Sequence, residues 1–101
     1  MDLTLADAGS RHTLSIGEEV RVQLPETPTT GYVWTAQLDD DALEVVDDHY
    51  DVAETPRGAP GLHTFAFRAR RAGPTTLALV QSRAWEQGAV EECRFDFDIQ
   101  G

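Results

Sequence analysis

The chain has 101 residues, with 18 Asp and Glu against 8 basic residues, for a formal net charge of −10 at pH 7. That length can bury a core but leaves no room for a second one, so residues 1–101 are expected to form a single domain. An acidic surface repels phosphate backbones and anionic headgroups, which argues against nucleic acid or a membrane as partner and for a neutral or basic protein. Every basic residue is Arg, and neither Lys nor Asn occurs, a compositional trait of the source that says nothing of function. Cys93 is the single cysteine, so the fold cannot depend on an internal disulfide. No apolar run approaches membrane-spanning length. Met1-Asp2-Leu3-Thr4 has neither the basic nor the apolar part of a secretory leader. The chain as given is therefore expected in the cytoplasm, or in the periplasm or medium if a leader has been removed.

In chain order, Leu3-Thr4-Leu5 reads as a short edge strand, with Arg11 to Ser15 as its continuation after Gly9. Ile16-Gly17-Glu18 is a turn. Glu19 to Leu24 alternates, with Val20, Val22 and Leu24 on one face. Glu26 to Tyr32 (Glu-Thr-Pro-Thr-Thr-Gly-Tyr) follows as a stiff loop: Pro28 fixes its own φ, Thr29 and Thr30 are restricted at χ1, and Gly31 is free to take a positive φ. Tyr32 to Leu38 places Tyr32, Trp34, Ala36 and Leu38 on one face, and Asp39-Asp40-Asp41 is a solvated turn rather than a calcium site. Leu43 to Asp51 is less regular. The adjacent Val45 and Val46 predict a bulge or an edge position. Ala53 to Gly61 carries Pro56, Gly58, Pro60 and Gly61 and is a long connector. His63, Phe65, Phe67 and Ala69 then define the inner face of a strand. Arg71 to Pro74 turns the chain, Thr75 to Gln81 turns Leu77 and Leu79 inward, and Arg83 to Gly88 forms a further loop. Cys93, Phe95, Phe97 and Ile99 alternate cleanly with polar residues in the last strand.

No segment shows a helical period and there is no internal repeat. Seven to eight short strands separated by turn signals predict an all-β fold, an immunoglobulin-like antiparallel β-sandwich. Consecutive antiparallel strands reverse direction, so alternate connectors share an end. One end is expected to display residues 25–31, 53–60 and 83–88 together, and the other the shorter connectors 39–42 and 71–74. Rigid sandwiches commonly present binding loops in this way.

The residues on those three loops resemble a known family. Thr27-Pro28-Thr29-Thr30-Gly31-Tyr32 is similar to the Asn-Pro-Thr-Thr-Gly-aromatic motif of the chagasin-like inhibitors of papain-family cysteine proteases. Gly58-Ala59-Pro60-Gly61 resembles that family's Gly-x-Gly-Gly loop, and Arg83-Ala84-Trp85-Glu86 resembles its Arg-Pro-Trp loop. The three occur in the family's order. The resemblance implies a monomeric, cofactor-free and metal-free inhibitor whose loops wedge into the protease cleft. Thr29 and Thr30 would sit at the blocked centre, with Arg83 and Trp85 making the largest flanking contact. A stiff loop loses little entropy on docking, which suits that role. Three positions depart from the family: Thr27 stands for its asparagine, Pro60 for a glycine and Ala84 for the proline. Each change alters loop bracing or removes a backbone donor, so potency and target preference are expected to differ from those of better-matched members.

The residues offer little to an enzyme. His12, His49 and His63 are scattered, Cys93 lies on an inward face, and His63 shares its face with Phe65 and Phe67 as a hydrogen-bonded core histidine would. Asp47-Asp48-His49-Tyr50-Asp51 has metal-ligating side chains, but strand alternation divides them between two faces. The rival to inhibition is a non-inhibitory sandwich module that uses the same loops to bind another protein. It needs neither Thr29-Thr30-Gly31 nor Trp85 at the tip.

Overall fold

The computed structural model of the chain describes residues 1–26, 31–52, 61–83 and 91–101. Its strands are β1 (Asp2–Thr4), β2 (Arg11–Ser15), β3 (Glu19–Glu26), β4 (Tyr32–Gln37), β5 (Leu43–Asp51), β6 (Gly61–Ala69), β7 (Gly73–Arg83) and β8 (Glu91–Gln100). They form two four-stranded sheets, ordered β1-β3-β6-β5 and β2-β8-β7-β4. The expected all-β, immunoglobulin-like sandwich is what the chain forms.

Period-two patterning builds the core. Val20, Val22, Leu24, Phe65 and Phe67 from one sheet meet Trp34, Leu77, Leu79, Cys93, Phe95, Phe97 and Ile99 from the other, all buried. Each large apolar side chain so buried contributes about 1.5–3 kcal/mol, before the entropy of ordering is counted. Cys93 lies wholly inside, and burial, followed by the charges of Glu91 and Asp7, pushes its thiol up to about 11. A protonated, enclosed thiol is a packing residue and not a nucleophile.

Two details depart from strict alternation. Arg11–Ser15 does not continue the first strand. A short 3-10 turn at Leu5–Asp7, in which Asp7 Oδ2 accepts from the backbone N–H of Thr4 at 2.9 Å, lies between β1 in one sheet and β2 in the other. β2 therefore pairs with β8 in the opposite sheet. Both edge pairings, β1 with β3 and β2 with β8, are parallel, whereas every other pairing is antiparallel. The hydrophobic pattern of a strand sets which face it buries. It does not name the neighbour.

The irregularity expected in β5 is both a bulge and an edge position. The pairing of β5 with β6 shifts between Val45 and Asp47, and β5 is the last strand of its sheet. Unbroken alternation from Leu43 would turn Asp47, His49 and Asp51 inward. The bulge instead sets Asp48 opposite Phe65 and Tyr50 opposite His63, and directly opposed residues of an antiparallel pair share a face.

The register also fixes the two ends. Asp39, Asp41 and Arg71 meet at one of them: Arg71 lies 3.2 Å from Asp39 and 3.7 Å from Asp41, and Asp39 Oδ1 accepts from the backbone N–H of Asp41 at 3.0 Å. The acidic triplet is thus a solvated turn that holds a neighbouring arginine. Its pairs are exposed and worth at most about 1 kcal/mol each.

Candidate functional site

At the opposite end, the strand termini from which the three longer connectors depart are gathered by pairing. Glu26, the last residue of β3, is opposite Gly61, the first of β6. Asp51 at the end of β5 is opposite Leu62. In the other sheet Tyr32 at the start of β4 is opposite Arg83 at the end of β7, and Glu91 at the start of β8 is opposite Gln81. Residues 27–30, 53–60 and 84–90 therefore all leave from one end of the sandwich, as the alternation of strand directions predicts.

Of the site residues named from the sequence, Gly31, Tyr32, Gly61 and Arg83 are described. Thr27, Pro28, Thr29, Thr30, Gly58, Ala59, Pro60, Ala84, Trp85 and Glu86 lie outside the described residues. Gly31 has φ +81°, the left-handed region where a Cβ is strained, so glycine is required at the point where the chain enters β4. The Arg83 guanidinium lies over the Tyr32 ring, 3.9 Å from its centroid. A cation on an aromatic face contributes about 0.5–1 kcal/mol where partly exposed. It also joins the exit of one connector, 27–30, to the entrance of another, 84–90.

Gly61 owes its identity to a neighbour and not to a turn. A Cβ at this position would collide with the Tyr50 hydroxyl and the Asp51 carbonyl. Without it the Tyr50 ring crosses the end of β6, and its hydroxyl donates to the carbonyl oxygen of Glu26 at 3.2 Å.

Glu26 is the residue that sequence reasoning placed in the loop but did not single out. It is 4% exposed, and its Oε1 accepts from the backbone N–H of Trp34 at 2.8 Å and from His63 Nδ1 at 3.0 Å. The Trp34 indole N–H returns a bond to the carbonyl of Pro25 at 2.9 Å. The incoming leg of the 27–30 connector, Pro25-Glu26, and its outgoing leg, which runs into Trp34, are therefore fastened to each other twice. His63 is partly buried and hydrogen-bonded on the inward face, as expected, and its ring stacks on Phe65 with centroids 4.2 Å apart. Its Nε2 lies 2.5 Å from Asp48 Oδ1.

Burial alone lowers the pKa of His63. The hydrogen bonds to Glu26 and Asp48 and the attraction of both carboxylates outweigh it, and the pKa is raised above the ordinary histidine value. A signal for this cluster was present in the sequence. Glu26 and His63 fall on the inward parity of β3 and β6, where an ionisable side chain needs a partner. Asp48 carried no such signal, because only the bulge turns it inward.

His49 occupies the other face of β5, 2.9 Å from Asp47 and 3.3 Å from Asp51, so the acidic run is divided between faces as strand alternation requires. Among the described residues no group of three or more His, Cys, Asp and Glu is arranged to hold a metal ion.

Residues 13–99 match the model of the chagasin family peptidase inhibitors, I42. The chain is 29% identical over 99 residues to chagasin of Trypanosoma cruzi, covering 92% of this chain and 90% of that protein. It is 28% identical over 78 residues to amoebiasin-2 of Entamoeba histolytica, covering 74% of this chain and 63% of that one. Among solved structures, its fold is similar to that of the cysteine protease inhibitor EhICP2 from Entamoeba histolytica, with a TM-score of 0.90 at 24% identity, over 98% of this chain and 94% of that one. That family is made up of inhibitors and not of enzymes, and the match over residues 13–99 settles where this sequence falls: the chain belongs to the chagasin family of peptidase inhibitors.

Proposed function

We propose that this chain is a reversible, competitive inhibitor of papain-like cysteine proteases and that it acts by occupying their active-site cleft with the three connectors at one end of the sandwich. The observation that carries the reading is the strand register, which gathers the termini of 27–30, 53–60 and 84–90 at one end. Family membership supports the class of target. The residues assigned to the contact are Thr27, Pro28, Thr29, Thr30, Gly31 and Tyr32 in the centre, with Gly58, Ala59, Pro60 and Gly61 on one side and Arg83, Ala84, Trp85 and Glu86 on the other.

No group on the inhibitor has to react. A wedge held on two rigid sheets enters the cleft with little conformational entropy left to lose, so more of the contact energy appears as affinity. Trp85 and Arg83 are of the residue types that dominate interface energetics. The departures at Thr27, Pro60 and Ala84 are expected to change both potency and target preference.

The test is a titration of the purified protein against papain and a cathepsin L-like protease with a fluorogenic substrate, beside a serine protease. Competitive, reversible inhibition of the cysteine enzymes alone is the expected result. Equal inhibition of the serine enzyme, or none of either at micromolar protein, overturns the reading.

A further inference from the structure

The cluster under the tip, buried at Glu26, partly buried at His63 and open to water at Asp48, has a geometry that neither the core nor the loops require. Glu26 closes β3, His63 lies on β6 and Asp48 on β5, so three strands each supply one ionisable side chain to a single chain of contacts. Both ring nitrogens of His63 face carboxylate oxygens, which accept and do not donate when ionised. The arrangement is therefore complete only with the imidazolium, which carries a proton on each nitrogen. Two carboxylates and one imidazolium then leave one negative charge on the cluster, and Glu26 directs its share of it at the backbone N–H of Trp34. The bulge in β5 brings Asp48 to this face in place of Asp47, so the second carboxylate depends on a specific irregularity of the strand.

We propose that Glu26 is the positioning residue of the central inhibitory loop, and that His63, held between Glu26 and Asp48, makes the loop's stance depend on pH, so that the chain binds its protease more tightly under acidic than under alkaline conditions. This rests on the assignment of the tip as the protease-contacting end. The coupling runs through the described legs of the loop. While His63 is charged, Glu26 is held against both His63 and the Trp34 amide, and Tyr50 fixes the Glu26 carbonyl from the other side. When His63 loses its proton, one of its nitrogens faces a carboxylate lone pair with a lone pair of its own. The contact to Glu26 or to Asp48 turns repulsive, and Glu26, with its second partner weakened, braces the Trp34 amide, and so the strand ends from which residues 27–30 depart, less firmly.

The groups that face His63 are Glu26 from β3, Asp48 and Tyr50 from β5, and its own neighbour Phe65. Tyr32, Arg83 and Glu91 close the inward face of the opposite sheet at this tip, by strand alternation.

The experiment measures the inhibition constant against papain at pH 5.5, 7.0 and 8.5 for the wild-type chain, His63→Gln and Glu26→Gln, with thermal unfolding at each pH. Taking ratios to His63→Gln at each pH removes the protease's own pH dependence. The expected result is that wild type loses affinity relative to His63→Gln by about 5-fold from pH 5.5 to 8.5, a fraction of what a charge-assisted hydrogen bond supplies. Glu26→Gln keeps an acceptor for Trp34 and is expected to fold and inhibit with a flattened pH profile, whereas Glu26→Ala loses affinity at every pH. Parallel wild-type and His63→Gln profiles overturn the proposal. Nitrogen-15 NMR of the free protein separates the two levels: the Trp34 amide and indole resonances are expected to titrate together with the His63 ring. Their failure to move overturns the clamp even if inhibition is strong. A wild-type chain that is folded and titrates in this way but inhibits no cysteine protease at any pH overturns the assignment of the tip, and the inhibitory part of this proposal with it.

Discussion

Two histidines near the tip are each set between two carboxylates, and their surroundings differ. His49 stands on the outer face of β5 between Asp47 and Asp51, with 45% of its side chain exposed. His63 stands on the inner face of β6 between Glu26 and Asp48, with 12% exposed. In water such a pair is screened and offset by the entropy of holding the side chains, so the outer set is decoration on an acidic edge strand. Inside, Glu26 and His63 have little solvent to fall back on, so removing Glu26 strands its partners, whereas Asp48, 53% exposed, closes the set from the solvent side. The comparison teaches that an ion pair's effect here follows from which face of the sheet it occupies. A single bulge decides that for Asp48.

The largest effect expected from breaking the inner set comes from Glu26→Ala. It leaves the Trp34 N–H and His63 without their acceptor, and unfolding in denaturant should show a loss of about 3 kcal/mol. Glu26→Gln, which keeps the acceptor, should recover most of that loss. If both variants are equally destabilised, the hydrogen bond to Trp34 is not what Glu26 supplies.

Next in size is Gly61→Ala. Its methyl group must displace the Tyr50 hydroxyl or the backbone at Asp51, and overpacking of this kind costs about 1–3 kcal/mol. Because the displaced hydroxyl holds the Glu26 carbonyl, the same substitution should also weaken inhibition. A variant with native stability would mean that the close approach of Tyr50 to β6 is not a constraint.

The pH dependence of stability is a smaller effect, and its sign follows from the raised pKa of His63. A group that binds its proton more tightly when folded stabilises fully below its unfolded value, about 6.5 for histidine. That stabilisation is lost as pH rises through the raised folded value. Wild type should therefore lose melting temperature from neutral toward alkaline pH more steeply than His63→Gln, and equal slopes would contradict the assignment. The smallest effect belongs to the outer set. His49→Gln is expected to change stability by less than about 0.5 kcal/mol, and a larger loss would erase the contrast between the two faces.

Much of the fold was legible because burial in a sheet writes a period of two into the chain. Val20, Val22 and Leu24, and again Cys93, Phe95, Phe97 and Ile99, name their inner faces without ambiguity. The adjacent valines at 45 and 46 announced the bulge. The sheet to which Arg11–Ser15 belongs was not legible, since a strand's pattern does not say which edge it joins. The grouping of the three connectors followed from counting reversals, and the chemistry they carry from their motifs. Glu26 was hidden by its position beside a conspicuous loop: it reads as the first residue of the loop, and the structure makes it the last residue of the strand that holds the loop. Gly61 was assigned to the connector as a breaker and by its place in a glycine-rich motif, and its described role is to make room for Tyr50.

The central claim is that the loops at this tip block a protease while the sandwich only carries them. The measurement that tests it most directly is the inhibition constant and melting temperature of Thr30→Ala combined with Trp85→Ala, against papain. The account predicts an inhibition constant raised by about 10-fold or more, as the loss of interface anchors requires, with the melting temperature nearly unchanged. Unchanged inhibition, or a collapse in stability that marks Trp85 as part of the core, would contradict it.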